Sequence, residues 1–141
     1  MPTFPPVTCD LIERFRLALG PEAVLGPDED LSPFARDETE GLEGRPEVVL
    51  CPRATEQVEA ALRLAFEAGV PTTARSGGTG LSGGAVPVHG GVVLSFDRMD
   101  RILEIDEANL CAVVQPGVVT QTVQERVEAR GVYYPPGPAC R

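Results

Sequence analysis

Residues 74–87 read Ala-Arg-Ser-Gly-Gly-Thr-Gly-Leu-Ser-Gly-Gly-Ala-Val-Pro. The ten from Arg75 to Gly84 hold five of the fifteen glycines, together with Arg75, Ser76, Thr79 and Ser82. Glycine lets a backbone take positive φ and lets a ligand approach without meeting a Cβ. Successive N–H groups exposed in this way form a concavity that binds anions. Ser76, Thr79 and Ser82 add hydroxyl donors, and Arg75 adds charge on a planar fork. A diphosphate is the natural ligand of such a loop.

The surroundings decide which kind of phosphate loop this is. All twelve basic residues are arginine. P-loop NTPases and protein kinases both set a lysine on nucleotide phosphates, so both are excluded. Gly78-Thr-Gly80-Leu-Ser-Gly83 matches the dinucleotide pattern GxGxxG, which must follow a strand and open a helix. Residues 70–75 supply the strand. Pro87, His89, Gly90 and Gly91 interrupt any helix, and residues 91–96 form another strand. The Rossmann context fails.

The elements that must position this loop are legible on both sides of it. Thr8 caps a helix through Leu19, with Leu11, Ile12, Phe15, Ala18 and Leu19 on one face, and Gly20-Pro21 ends it. Residues 26–44 are acidic and irregular, a surface loop with one turn of structure near residues 31–35. Residues 47–51 form a short strand. Thr55 caps the clearest helix, which ends at Gly69 and whose Val58, Ala61, Leu62, Ala65 and Phe66 form the stripe of a helix lying on a sheet. Residues 47–75 thus make a βαβ-like unit, with the glycine loop at the carboxyl end of its second strand, where open α/β sheets bind ligands. Strands at 92–96 and 102–106 follow, joined by a turn. Asn109 turns the chain into a strand at 111–115. Thr120 caps a last helix to about Arg130, with Val119, Val123 and Val127 inward and Gly131 ending it. Residues 133–138 are a proline-stiffened tail.

Composition narrows the classes of function. A chain of 141 residues suits one domain with a real core. A net charge of −9 argues against nucleic acid, whose phosphates need clustered basic residues. Cys9, Cys51, Cys111 and Cys140 contain no CxxC, and His89 is the single histidine, so no zinc site is expected. His89, in a Pro/Gly turn, reads as a solvated surface residue. The acids of residues 28–47 read as a solvated face. Scattered thiols and the absence of an export signal or membrane span predict a cytoplasmic location.

The glycine segment resembles the pyrophosphate loop of the FAD-binding domain shared by the vanillyl-alcohol oxidase / p-cresol methylhydroxylase (PCMH-type) superfamily. Four further landmarks follow in the family's order: Pro46-Glu-Val-Val-Leu-Cys-Pro52 with Ala54-Thr-Glu-Gln-Val58, the strands within residues 92–106, Val113-Val-Gln-Pro-Gly-Val118, and Tyr133-Tyr-Pro-Pro-Gly-Pro138. The likeness runs from about Leu11 onward. The continuation Gly-Leu-Ser-Gly-Gly-Ala-Val-Pro is more similar to the hydroxy-acid branch, which includes the FAD-linked subunit of glycolate oxidase and D-lactate dehydrogenase, than to the molybdenum-hydroxylase or cell-wall reductase branches.

The resemblance implies an α+β (α/β-like) fold, the N-terminal lobe of a PCMH-type domain, with a small mixed sheet and flanking helices. Residues 1–44 form an N-terminal helix and acidic loop segment, and residues 45–141 the first lobe. FAD is the implied cofactor. Its contacts fall on Arg75, Ser76, Gly77, Gly78, Thr79, Gly80, Leu81, Ser82 and Gly83, with the Pro116-Gly117 turn beside the groove. Pro136 falls near the flavin ring, although Gly137 stands where the family often has an aspartate. The complete enzyme would move a hydride from C2 of a D-2-hydroxy acid to the flavin. The chain stops before the family's Gly-Gly-Asn-type motif and its substrate domain, so no catalytic residue is carried over. A fragment or half of a split protein is expected, inactive alone, partnered by a second lobe, by other oxidase subunits or by itself. The alternative is a non-catalytic nucleotide-binding or assembly module of the same fold.

Overall fold

The structure is a computed structural model and describes residues 3–135. Helix α1 (Cys9–Leu19) starts where Thr8 Oγ1 accepts a hydrogen bond from the Leu11 N–H at 3.2 Å, as its sequence position predicts. Gly20, at φ +94°, ends it. Strand β1 (Val24–Leu25) follows, and a single 3-10 turn at Ser32–Phe34 punctuates the acidic segment. Then come β2 (Val48–Leu50), helix α2 (Thr55–Glu67), β3 (Thr72–Arg75), β4 (Val92–Ser95), β5 (Ile102–Asp106), β6 (Cys111–Val114) and helix α3 (Thr120–Glu128).

Four strands form a mixed sheet in the order β1-β2-β4-β3, with β1 antiparallel to β2 and the other neighbours parallel. Strand β4 therefore lies between the two strands of the βαβ unit. The side chains of β2 and β4 alternate between two faces, as extended backbone requires. Val48, Leu50, Val92 and Leu94 pack with α1 and α2, while Val49 and Val93 join Cys51 against Leu25, Leu31 and Phe34 on the other side. Both faces are covered, which is why these strands are continuous apolar runs. Gly91 sets the register. Its φ is +71°, its carbonyl accepts from Glu47 N–H at 2.9 Å, and a Cβ there would lie 2.4 Å from the Pro71 carbonyl oxygen.

Some expectations need correction. Thr55 and Thr120 begin their helices but do not cap them; Ala54 and Val119 occupy the cap positions without a side-chain hydrogen bond. At α2 the Gln57 side chain instead reaches back to the residue before the cap, its Oε1 accepting from the Arg53 N–H at 2.7 Å. The buried stripe of α2 is also rotated. Ala61 and Ala65 face the core, with Val58, Leu64 and Ala68 at its margin, whereas Leu62 and Phe66 are 46% and 87% exposed. Small alanines let α1 approach closely, and that contact, not side-chain size, selects the inward face. On α1, Ala18 is exposed while Leu11, Ile12, Phe15 and Leu19 are buried. On α3, Val123 and Val127 are buried and Val119 is half exposed. The strands at 92–96 and 102–106 part company. β4 enters the main sheet, and β5 pairs antiparallel with β6 in a separate two-stranded sheet.

Residues 3–44 and 45–135 share one core, since α1 and β1 belong to the same cluster and sheet as β2 and α2.

Candidate functional site

The glycine loop leaves the carboxyl end of β3, and the strand direction aims its backbone past the edge of the parallel sheet. Gly77 and Gly78 both take positive φ, +64° and +67°, so two successive peptide units turn their N–H groups in a manner that side chains would resist. Gly83 does the same at +72°. Space differs among these positions. A Cβ at Gly77 or Gly84 would meet nothing within 4 Å, whereas one at Gly78 would fall 2.1 Å from the Arg75 guanidinium.

Each end of the loop is tied to the protein. The Gly77 N–H donates to Asp97 Oδ1 at 3.1 Å, and Asp97 Oδ2 accepts from the buried Ser95 hydroxyl at 2.8 Å. The Gly83 N–H donates to Thr39 Oγ1 at 2.7 Å. Between them the Gly80 carbonyl accepts from Glu38 N–H at 3.1 Å. Among the described residues, no protein acceptor meets the N–H groups of Gly80, Leu81 and Ser82. Leu81 and Ser82 are exposed. A row of amides without a protein acceptor, in a loop held at both ends, could hold a polyanion such as a diphosphate.

The side chains named from the sequence divide by orientation. Arg75 does not point its fork along the loop. Its Nη1 and Nη2 donate to the carbonyls of Arg36 and Pro33 at 2.7 and 3.1 Å, with the guanidinium 5.9 Å from the Phe34 ring centre. It straps β3 to the segment around the 3-10 turn. Ser76 Oγ donates to the Pro116 carbonyl at 2.6 Å, which sets the Pro116-Gly117 turn against the loop. Thr79, Gly80, Leu81 and Ser82 form the solvent-exposed middle of the loop. Pro136 lies outside the described residues. His89 is exposed and its ring sits 5.3 Å from that of Phe4.

Sequence reasoning missed the residues behind the loop. Asp37 and Thr39 stood in the acidic stretch assigned to a solvated face, yet Asp37 is 8% exposed. Its Oδ1 accepts from the Thr39 N–H at 2.9 Å, and its buried Oδ2 has no partner. The Thr39 hydroxyl first, and its N–H to a smaller degree, hold the Asp37 carboxyl below the ordinary aspartate value against the opposing effect of burial. Thr39 and Gly83 are 44 residues apart, so no local spacing announces the contact. Among the described residues there is no cluster of three or more metal-ligating side chains, and no helix long and apolar enough to cross a membrane.

Comparison with known proteins agrees with this geometry. A sequence model of the FAD binding domain matches residues 46–141. The chain is 39% identical over 133 residues to the glycolate oxidase subunit GlcD of Bacillus subtilis, covering 94% of this chain and 28% of that protein. It is 38% identical over 133 residues to D-lactate dehydrogenase of Anaerostipes hadrus, again 94% of this chain and 28% of the relative. Among solved structures, p-cresol methylhydroxylase superposes with a TM-score of 0.76 at 26% identity, covering 92% of this chain and 27% of that one. The 4-ethylphenol oxidase of Gulosibacter chungangensis gives 0.75 at 34% identity, with the same coverage. The chain thus spans a little over a quarter of the length of the relatives it matches. Its small mixed sheet and flanking helices are those of the PCMH-type fold, and the chain belongs to the FAD binding domain family, whose cofactor is FAD.

Proposed function

We infer that residues 75–83 bind the pyrophosphate of FAD, chiefly through the N–H groups of Gly80, Leu81 and Ser82, with Thr79 and Ser82 as hydroxyl donors. The observation that carries this reading is the row of unengaged amides in a loop fixed at Gly77 and Gly83. Arg75, Ser76, Gly77, Gly78 and Gly83 shape the loop. Bound FAD would accept a hydride from C2 of a D-2-hydroxy acid of the glycolate or D-lactate type, a substrate class supported by the relatives' names. The protein's part is to hold and orient the cofactor. Residues 45–141 act as the first lobe of that domain. The free thiols of Cys9, Cys51 and Cys111 suit a reducing cytoplasm.

A titration of the chain with FAD, followed by flavin fluorescence, tests the cofactor role. Leu81→Pro removes one amide donor from an exposed position and should weaken binding by at least about tenfold, the effect of losing one hydrogen bond to a charged group. A wild-type chain that fails to saturate with FAD would sink the reading.

Partners follow from the uncovered apolar surface. Leu62 and Phe66 on α2, and Leu103, Val113 and Val114 on the β5–β6 pair, are all exposed. A two-stranded sheet is marginal in water unless its apolar face is covered. We propose that a second lobe, other oxidase subunits or a second copy of the chain covers these residues, and this is the observation that favours an assembly role for the isolated chain.

A further inference from the structure

We propose that Thr39, oriented by Asp37, is a positioning residue for the cofactor loop, holding Gly83 so that the amides of Gly80, Leu81 and Ser82 stand ready before the ligand arrives. The proposal rests on the reading of this loop as the pyrophosphate site. Three contacts converge on it. Thr39 Oγ1 accepts from the Gly83 N–H at 2.7 Å, Glu38 N–H donates to the Gly80 carbonyl at 3.1 Å, and Asp37 Oδ1 accepts from the Thr39 N–H at 2.9 Å. Residues 37–39 therefore form a rail along which the loop is pinned at its middle and its far end. Leu42 closes the same end, since a Cβ at Gly83 would fall 2.4 Å from Leu42 Cδ2. Asp37 Oδ2, unpartnered and buried, lies on the same side of Gly80, 3.6 Å from where its Cβ would be. A buried carboxylate oxygen without a partner is costly, and a carboxylate beside an anion site opposes the anion. The side chain is accounted for by what its other oxygen does, which is to fix Thr39. These residues precede the stretch matched by the family model, which begins at residue 46, and a preorganised loop gains affinity because less ordering remains to be done on binding.

The test compares wild type, Thr39→Val and Thr39→Ser by FAD titration and by NMR exchange of the Gly83 amide. Thr39→Val removes the acceptor at nearly constant shape and should weaken FAD binding about fivefold, the effect of one hydrogen bond. It should also speed Gly83 exchange about tenfold. Thr39→Ser keeps the hydroxyl and should restore both to near wild type, which a purely structural role of the side chain would not require. Equal FAD affinity in wild type and Thr39→Val, or no rescue by serine, would overturn the positioning role while leaving the loop's assignment intact. Should Thr39→Val not fold, wild type decides: its Gly83 amide must be protected before FAD is added, and protection that appears only with FAD overturns the proposal. A wild type that binds no FAD removes the loop reading itself, and this role with it.

Discussion

Single residues at this site serve the loop more by what they tie together than by what they offer a ligand. Arg75 is the plainest case, its Nη1 and Nη2 donating to the backbone carbonyls of Arg36 and Pro33. Gly78 makes room for that guanidinium, so a side chain there would disturb the strap as well as the turn. Gly80→Ala is the informative contrast, because its Cβ would meet only Asp37 Oδ2 at an ordinary 3.6 Å. We expect Gly78→Ala to lower stability by about 1–3 kcal/mol and Gly80→Ala to change it far less, as urea midpoints will report. Asp37 adds a pH dependence. Its folded-state pKa is depressed by the Thr39 hydrogen bond, so the ionised form stabilises the fold. That contribution is complete above the ordinary aspartate value, near pH 4, and is lost as pH falls through the lower folded value. Asp37→Asn should therefore flatten the acid limb of stability below about pH 4, and an unchanged limb would count against the assignment.

At the scale of elements, the central strands were the easiest to foresee and the faces of the helices the hardest. Residues 48–50 and 92–94 both read Val-Val-Leu, short and apolar throughout, and they lie buried on both faces as such runs do. On α2, period alone admits two adjacent faces, and packing with α1 buries the one bearing Ala61 and Ala65. Cys51 reports on the integrity of this sheet. It sits just past β2, buried beside Val49 and Val93, and burial raises its thiol pKa. Cys9 and Cys111 are exposed. An aromatic disulfide reagent should label Cys9 and Cys111 readily and Cys51 only under denaturant. Early labelling of Cys51 in the native protein, mapped by mass spectrometry, would mean that β2 is less securely covered than its packing shows.

For the molecule as a whole, the uncovered surface is the dominant physical fact. Phe66 and Leu62 stand on one flank, and an apolar cavity of about 360 Å³ between the β5–β6 pair and α3, lined by Ile105, Leu110, Val114, Val123, Val127 and Tyr133, opens on another. Apolar surface of this extent favours association in water. Light scattering of the isolated chain should show concentration-dependent oligomers, reduced by Phe66→Ser with no loss of thermal stability. A monomer at all concentrations would argue that these faces are tolerated as they stand.

The order of elements, the glycine loop after a strand, the arginine-only basic set and the succession of family landmarks were all legible in the linear sequence, because each depends on neighbours within a few residues. That is enough to reach the α+β fold and the FAD binding domain family, and to single out the loop we propose for its cofactor. The tertiary structure alone decided that the segment at residues 37–39 braces the loop, that Arg75 faces backwards, and that Phe66 faces outwards. Thr39 meets Gly83 across 44 residues of sequence and Arg75 meets Pro33 across 42. Contacts made by chain return carry no local periodicity. They exist only once β4 has inserted between β2 and β3 and brought the acidic segment beneath the glycines.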